Sequence, residues 1–212
     1  MTDHTIAATA HGRYLVDPVA EPAGVLIGFH GQSETCAIEL EHLREIRGDR
    51  PWTLVSVQGL HRYYTRRGDV VAAWMTREDR ELAIADNIAY VRAVLDAVTG
   101  SLATALPRLV CCGFSQGTAM AYRTAAFAGR RADGLIILAG DVPPDVLPAA
   151  ATLPPVLIGR GAAEEWYTAE KAALDIERLQ SAGVCVIEHV FDGGHVRHPS
   201  FAARAGRFLD EI

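Results

Sequence analysis

The chain has 212 residues, 50% of them hydrophobic and 22% charged, which excludes the polar, charge-rich class of disordered proteins. Its formal net charge is −6, and lysine and arginine are scattered along it, which argues against a nucleic-acid surface that neutralises phosphates. The length fits one domain over residues 1–212 with a single core.

The cysteines and the apolar runs bear on the compartment. No CxxC pair occurs, so we expect all four cysteines to be buried thiols in a reducing compartment: Cys36, Cys111, Cys112 and Cys185. The N-terminus lacks the basic start and apolar stretch of a signal peptide, and no uncharged apolar run approaches the ~20 residues of a membrane span. We therefore expect a soluble cytoplasmic protein without a membrane span.

Short apolar runs recur along the chain and predict strands. Most of these runs are continuous rather than alternating, as in strands that are covered on both faces. In chain order they cover residues 12–16, 24–30, 52–58, 106–114, 133–140, 154–161 and 184–191.

Helical stretches lie between these runs. The clearest covers residues 79–98, where apolar side chains recur along one face at steps of three and four: Ile84, Ile88, Val91, Leu95 and Val98. Thr76 and Asp79 resemble a capping box for this helix. A second helix is predicted over residues 168–183, from a threonine cap to a glycine stop, and a last one over residues 199–209.

Strands that alternate with helices predict an α/β fold, here a three-layer α/β/α sandwich with a mostly parallel sheet. The working site of such a fold lies at the carboxyl ends of the strands. Residues 59–75 form a long insertion rather than a full cap domain, and loops of that length usually cover a site or are mobile. We expect this insertion to lie near the active site.

The stretch that carries chemistry is Gly-Phe-Ser-Gln-Gly at residues 113–117, which matches G-x-S-x-G between an apolar run and a helix-forming one. In a nucleophile elbow the strand turns abruptly into a helix, and the strained serine leaves no room for side chains at the flanking positions. The pattern therefore indicates Ser115 as a nucleophile, against the alternative of an idle serine in a glycine-rich turn.

A nucleophilic serine needs a general base, because its hydroxyl is unreactive at its ordinary pKa. His195 follows the final predicted strand, and Gly193 and Gly194 give its loop the freedom to approach the elbow. His198 lies three residues on, but no HExxH or CxxC pattern accompanies it, so no metal site is expected.

The acid of such a site follows a strand between the nucleophile and the base in the chain. Glu164 comes just past the next-to-last predicted strand, in a position to accept a hydrogen bond from His195 Nδ1. Its neighbour Glu165 is one alternative. Asp141, at the exit of the preceding strand, is the other.

A tetrahedral intermediate also needs two hydrogen-bond donors aimed at its oxyanion. The early stretch GFHGQSET, residues 28–35, ends a strand and supplies the main-chain N–H of Gln32. The main-chain N–H of Gln116, the residue after the elbow serine, supplies the second donor. His30 is interpreted as a structural hydrogen-bonding residue rather than a second base.

Four stretches in this order resemble the α/β-hydrolase fold and, within it, the small carboxylesterase/phospholipase branch that includes acyl-protein thioesterases: HGQ, GFSQG, PVLIGRGAAEEW and FDGGH. The resemblance runs over nearly the whole chain. It implies Ser115 as the nucleophile and His195 as the general base and then the general acid. It also implies the main-chain amides of Gln32 and Gln116 as the oxyanion hole.

The chain departs from that branch at three places. Glu164 stands where the family usually has an aspartate, one methylene shorter. Gln32 is hydrophilic where the thioesterases commonly have an apolar residue, and the 59–75 insertion is unlike theirs. The acyl specificity of the thioesterases is therefore not transferred to this chain.

Together these features predict a carboxylesterase-type serine hydrolase that cleaves a small-molecule carboxylic ester through an acyl-enzyme, without a cofactor. An acyl thioesterase or a lysophospholipase is the alternative within the same chemistry, with a thioester or lipid ester as substrate. A non-catalytic ligand-binding protein on a hydrolase scaffold is the alternative from another class. The sequence leaves open whether the chain forms a homodimer.

Two tryptophans are candidates for substrate binding. Trp166 lies two residues past the predicted acid and Trp74 lies near the end of the insertion, with core packing an equal alternative for both. Arg62, Arg66 and Arg67 in the insertion are suited to an anionic group, but solvated charges on an exposed loop are the favoured interpretation.

Overall fold

The computed structural model describes residues 1–101 and 108–212. The larger sheet contains β1 (Arg13–Asp17), β2 (Gly24–Phe29), β3 (Trp52–Gln58), β6 (Leu109–Phe114), β7 (Gly134–Leu138), β8 (Val156–Gly161) and β9 (Val186–Phe191). The smaller sheet pairs β4 (His61–Tyr64) with β5 (Val70–Ala73). The helices are α1 (Cys36–Arg47), α2 (Arg80–Ser101), α3 (Gln116–Phe127), α4 (Ala169–Ser181) and α5 (Pro199–Glu211), with a 3-10 helix at Leu147–Thr152. The first two residues of the predicted run 106–114 lie outside the described residues.

The larger sheet has the strand order β1-β3-β2-β6-β7-β8-β9. Its first strand is antiparallel to β3 and the other neighbours are parallel, which confirms the mostly parallel sheet. The chain passes from β2 to β3 on one side and later returns to place β6 on the other side of β2, so the strand order reverses there. Ligands of open α/β sheets bind at the carboxyl ends of the strands where the order reverses. The loops after Phe29 and Phe114 therefore border the expected crevice.

Helices cover both faces of the larger sheet, which confirms the predicted three-layer arrangement. One face packs against α2, α3 and α4 through buried side chains that include Val91, Met120 and Leu179. The other face packs against α1 and α5 through Leu43 and Phe208. Burial of apolar area contributes roughly 25 cal/mol per Å², and β2, β6 and β7, which are buried at every position, have no polar side chain. Among the described residues, no helix is both long and apolar enough to cross a membrane.

Cysteine burial follows these layers. Cys36, Cys111 and Cys112 are buried, and burial raises the pKa of the Cys111 and Cys112 thiols. Cys185 is exposed, so the prediction that all four thiols are buried is wrong at this position. The reason is its place just before β9, which is the edge strand of the sheet.

The helix termini depend on local chemistry. Thr168 caps α4 with its side chain, and the helix ends shortly before Gly183, whose φ of 84° is the left-handed stop that the sequence predicts. The capping box predicted at Thr76 is wrong. The Thr76 hydroxyl instead accepts a hydrogen bond from the Glu78 main-chain N–H at 3.2 Å in a local turn, and α2 begins only at Arg80.

The 59–75 insertion contains the β4–β5 hairpin instead of irregular chain. This hairpin joins the loop after β2, because Ala72 N–H donates to the Glu34 carbonyl and Ser33 N–H donates to the Ala72 carbonyl, both at 2.9 Å. The hydroxyls of Ser33 and Tyr63 lie 2.7 Å apart. The insertion is therefore tied to the loop that carries Gln32.

Candidate active site

Ser115 lies at the junction of β6 and α3, with φ 53° and ψ −120°. A Cβ atom added to Gly113 would lie 2.5 Å from the carbonyl oxygen of Gly117, and one added to Gly117 would overlap the carbonyl oxygen of Phe29. Both flanks of the serine therefore require glycine. This strained strand-to-helix turn has the geometry expected of a nucleophile elbow, and it places Ser115 at the carboxyl end of β6.

The imidazole of His195 lies between the serine and a carboxylate. Its Nε2 is 2.9 Å from Ser115 Oγ, and its Nδ1 is 3.0 Å and 2.9 Å from the two carboxylate oxygens of Glu164. An ionised carboxylate only accepts hydrogen bonds, so Nδ1–H donates to Glu164. This leaves Nε2 free to accept from the serine hydroxyl.

Glu164 is held in a buried setting. Its side chain has no solvent exposure, and Oε1 also accepts hydrogen bonds from the main-chain N–H groups of Trp166 at 2.9 Å and Tyr167 at 3.4 Å. The alternative acid Glu165 is exposed, and Asp141 lines the neighbouring cavity without a hydrogen bond to His195 among the described residues. Of the three candidate acids, the structure brings Glu164 to the imidazole. The glutamate side chain is one methylene longer than aspartate, and both of its carboxylate oxygens reach His195 Nδ1.

Gln32 and Gln116 line the same cavity as Ser115. Within the described part of the chain, neither main-chain N–H donates a hydrogen bond, so both are available to an oxyanion. The side chain of Gln116 is occupied: Oε1 accepts from Trp74 N–H at 2.8 Å and Nε2 donates to the Met75 carbonyl at 3.1 Å. The elbow is thereby attached to the segment that follows β5.

His30 is a buried hydrogen-bonding residue. Its Nδ1–H donates to the Gly31 carbonyl at 2.7 Å, its Nε2 accepts from Gly59 N–H at 2.9 Å, and burial lowers the pKa of the imidazole. Trp74 Nε1–H donates to the His30 carbonyl at 2.8 Å. The Trp74 side chain is fully buried, so its predicted place in the substrate pocket is wrong: it packs in the core.

The cavity beside Ser115 and His195 has a volume of about 320 Å³. Its further lining residues are Ala139, Gly140, Asp141, Trp166, Tyr167 and Lys171. Trp166 is 73% exposed and lines this cavity, so it is not packed in the core. The Lys171 ammonium donates to the Trp166 carbonyl at 2.6 Å. The cavity is small and its lining contains both polar and apolar residues, which suits a small ligand with polar groups.

Sequence reasoning missed an ionic cluster formed by Glu34, Glu39 and Arg197. The guanidinium makes two hydrogen bonds to the Glu34 carboxylate, one of them 2.8 Å, and a third of 2.6 Å to Glu39 Oε2. Glu34 Oε2 also accepts from Gly31 N–H at 2.7 Å, and the guanidinium carbon lies 4.2 Å from the centre of the Phe114 ring. Arg197 therefore connects three parts of the structure. These are its own loop, which also carries His195, the end of β6 at Phe114, and the loop after β2 that carries Glu34.

The charges of this cluster support one another. Burial disfavours the ionised form of Glu39, but His42 and Arg197 outweigh it and hold the pKa of the carboxyl below its usual value. Burial likewise opposes the charge of Arg197, and the carboxylates of Glu34 and Glu39 outweigh it and raise the guanidinium pKa. Only the position of Arg197 two residues after His195 could have signalled the cluster in the sequence.

The described residues that could hold a metal lie next to this cluster. Glu39, His42 and Cys112 are buried, with potential ligand atoms all within 4.8 Å of one another. One Glu39 oxygen is already bound by Arg197, whose positive charge opposes a second cation there. The trio lies apart from the cavity at Ser115.

Comparison of the sequence with protein families and with curated proteins finds no match. Solved structures do match. A carboxylesterase from Mesorhizobium loti gives a TM-score of 0.75 at 20% identity, over 91% of each chain. The Bacillus cereus carboxylesterase gives 0.74 at 17% identity over 95% of each chain, and Zea mays acyl-protein thioesterase 2 gives 0.71 at 17% over 95% of this chain and 99% of that one. At these identities the likeness is one of fold.

Proposed function

We propose that this chain, which has the α/β-hydrolase fold, is a serine hydrolase that cleaves a carboxylic ester through an acyl-enzyme on Ser115. One observation carries the proposal: a continuous line of hydrogen bonds runs from Ser115 Oγ through His195 to the Glu164 carboxylate, with distances of 2.9 to 3.0 Å. A nucleophile, a base and an orienting acid in hydrogen-bond reach of one another are the parts that acyl transfer by serine needs.

In the first half of the reaction, Ser115 Oγ attacks the ester carbonyl carbon while His195 Nε2 takes the hydroxyl proton. The imidazolium that forms is stabilised by the carboxylate of Glu164, which is buried and already oriented by two main-chain N–H groups. The carbonyl oxygen gains the negative charge and accepts from the N–H groups of Gln32 and Gln116.

The tetrahedral intermediate collapses when the alkoxide leaves with the proton from His195 Nε2. Ser115 then carries the acyl group as an ester. Water repeats the sequence: His195 takes its proton, the hydroxide adds to the acyl carbon, and the serine leaves with the returned proton. The products are an alcohol and a carboxylic acid.

Thioester cleavage is the second candidate, because the same groups would act on an acyl thioester and one structure of similar fold is an acyl-protein thioesterase. A ligand-binding protein on the same scaffold is the candidate from another class. The two enzyme candidates require a reactive serine, and the binding protein does not.

Labelling with a fluorophosphonate probe tests the proposal. We expect one adduct on Ser115, loss of labelling and of p-nitrophenyl butyrate hydrolysis in Ser115→Ala, and unchanged labelling in Ser181→Ala, which removes an exposed hydroxyl at the end of α4. Absence of a Ser115 adduct in folded protein would favour the binding protein. Ester hydrolysis that persists in Ser115→Ala would place the nucleophile elsewhere.

A further inference from the structure

Lys171 is the chain's one lysine, beside nineteen arginines, and it lies at the cavity next to Ser115. It belongs to the first turn of α4, which starts after the loop that carries Glu164. Every other fixed positive side-chain charge of the described residues is a guanidinium. The cavity is instead lined by Lys171, whose ammonium is a compact cation with three donors.

The ammonium is held in place by the main chain instead of by an acid. Lys171 Nζ donates to the Trp166 carbonyl at 2.6 Å, and no carboxylate of the described residues lies within ion-pair distance of it. One hydrogen bond uses one of the three donors. The remaining two donors, and the full charge, are available to a ligand.

The same peptide segment links this ammonium to the catalytic line. Trp166 N–H donates to Glu164 Oε1 at 2.9 Å, and the Trp166 carbonyl accepts from Lys171. The ammonium is therefore positioned relative to His195 by the loop that holds the acid. A group bound to Lys171 lies in the same cavity as Ser115 Oγ.

Asp141 lines this cavity too, but it makes no ion pair with Lys171. The carboxylate of Asp141 and the ammonium of Lys171 are therefore separate charges in the cavity. A charged substrate is attracted by one of them and repelled by the other. An anionic group is drawn to Lys171 and repelled by Asp141, which fixes its direction in the cavity.

We infer that the cavity selects small esters that carry a carboxylate, and that the Lys171 ammonium binds this carboxylate while Ser115 attacks the ester. The inference rests on the proposed function and names its substrate class. The volume of about 320 Å³ fits a small molecule of this kind.

Two pairs of esters test this inference, each matching an anionic substrate to a neutral one. In the first pair, mono-4-nitrophenyl adipate and 4-nitrophenyl hexanoate, the carboxylate is on the acyl side. In the second, 4-acetoxybenzoate and p-tolyl acetate, it is on the alcohol side. Each pair gives a ratio of kcat/KM, anionic over neutral, after the uncatalysed rate is subtracted.

We expect Lys171→Met to lower this ratio in at least one pair by about tenfold or more, the loss of a charge-assisted hydrogen bond. Lys171→Glu should lower it further. Arg131→Met removes the same charge from an exposed residue before β7, at the opposite end of the sheet, and should leave the ratio at the wild-type value. Ratios that stay at the wild-type value in Lys171→Met overturn the inference while leaving ester hydrolysis itself in place.

The single lysine also allows a test in the natural sequence. Reductive methylation keeps the ammonium charge and acetylation removes it, and the amines available to both reagents are Lys171 and the N-terminus. Acetylation should lower the ratio and methylation should retain most of it, with Lys171→Met treated in parallel to account for the N-terminus. Failure of every ester together with an unlabelled Ser115 would instead reject the proposed function, and the inference with it.

Discussion

His195 and Arg197 lie two residues apart in the loop between β9 and α5, and each is paired with glutamate, but they differ in what their charge can do. The imidazole of His195 is 28% exposed beside the cavity, and its Nε2 lies 2.9 Å from Ser115 Oγ, whose proton it takes in the proposed reaction. The guanidinium of Arg197 is mostly buried against two carboxylates and stays charged. The pair of His195 with Glu164, the transient pair, is suited to a charge that forms only during the reaction. The pairing of Arg197 with Glu34 and Glu39, the permanent pair, is suited to a permanent ionic tie between loops.

This permanent tie acts on the geometry of the site. Glu34 receives Arg197 on one side and Gly31 N–H on the other, so the loop that presents Gln32 is fixed to the loop that presents His195. The centre of the Phe114 ring lies 4.2 Å from the guanidinium carbon of Arg197 and 5.0 Å from the centre of the His195 imidazole ring. The two pairs are therefore neighbours with separate tasks.

The largest expected loss of activity comes from a substitution in the transient pair of His195 and Glu164. Glu164→Gln keeps an oxygen for the main-chain N–H groups but turns an amide N–H toward His195 Nδ1, which forces the proton onto Nε2. That tautomer cannot accept the serine proton, and kcat should fall by about 10⁴-fold with the fold retained. Steady-state kinetics on a p-nitrophenyl ester, with circular dichroism on the same sample, measures both.

Glu165→Gln is the matched control, since it makes the same change at the exposed neighbouring residue, and its kcat should stay within about twofold of wild type. Near-normal turnover in Glu164→Gln would move the acid elsewhere. Asp141→Asn would then be the variant to test.

Loss of the permanent pair should lower the free energy of unfolding. Arg197→Met removes the guanidinium from the buried Glu39 carboxylate and the partly buried Glu34 carboxylate, and the free energy of unfolding should fall by about 3–5 kcal/mol. Urea unfolding followed by circular dichroism gives this value. Arg197→Lys keeps the charge but loses the two-point contact with Glu34. Its free energy of unfolding should lie between those of wild type and Arg197→Met.

Arg204→Met breaks the more exposed pair with Glu211 and should cost no more than about 1 kcal/mol. If Arg197→Met is as stable as Arg204→Met, the cluster is not a structural tie. The contrast drawn between His195 and Arg197 would then be lost.

The parts of the molecule that the sequence predicted depend on local patterns. The apolar runs, the glycine stop of α4 and the glycines on either side of Ser115 each follow from the chemistry of a few adjacent residues. The α/β fold followed from their alternation.

The features that were missed depend on residues far apart in the chain. Arg197 is 163 residues from Glu34 and 158 from Glu39, and no spacing rule connects charges at such separations. Trp74 is buried because the core closes over it, which the flanking sequence does not reveal. At Thr76 the sequence pattern was present, but the hydroxyl bonds to Glu78 in a turn instead of capping α2.

Trapping of the acyl-enzyme tests the central claim most directly. Protein mixed with p-nitrophenyl acetate and quenched with acid within milliseconds, then digested and analysed by mass spectrometry, should carry one acetyl group on the peptide that contains Ser115. Glu164→Gln should form the same adduct more slowly. Ester turnover without any acetylation of Ser115, or with the acetyl group on another residue, would contradict the account.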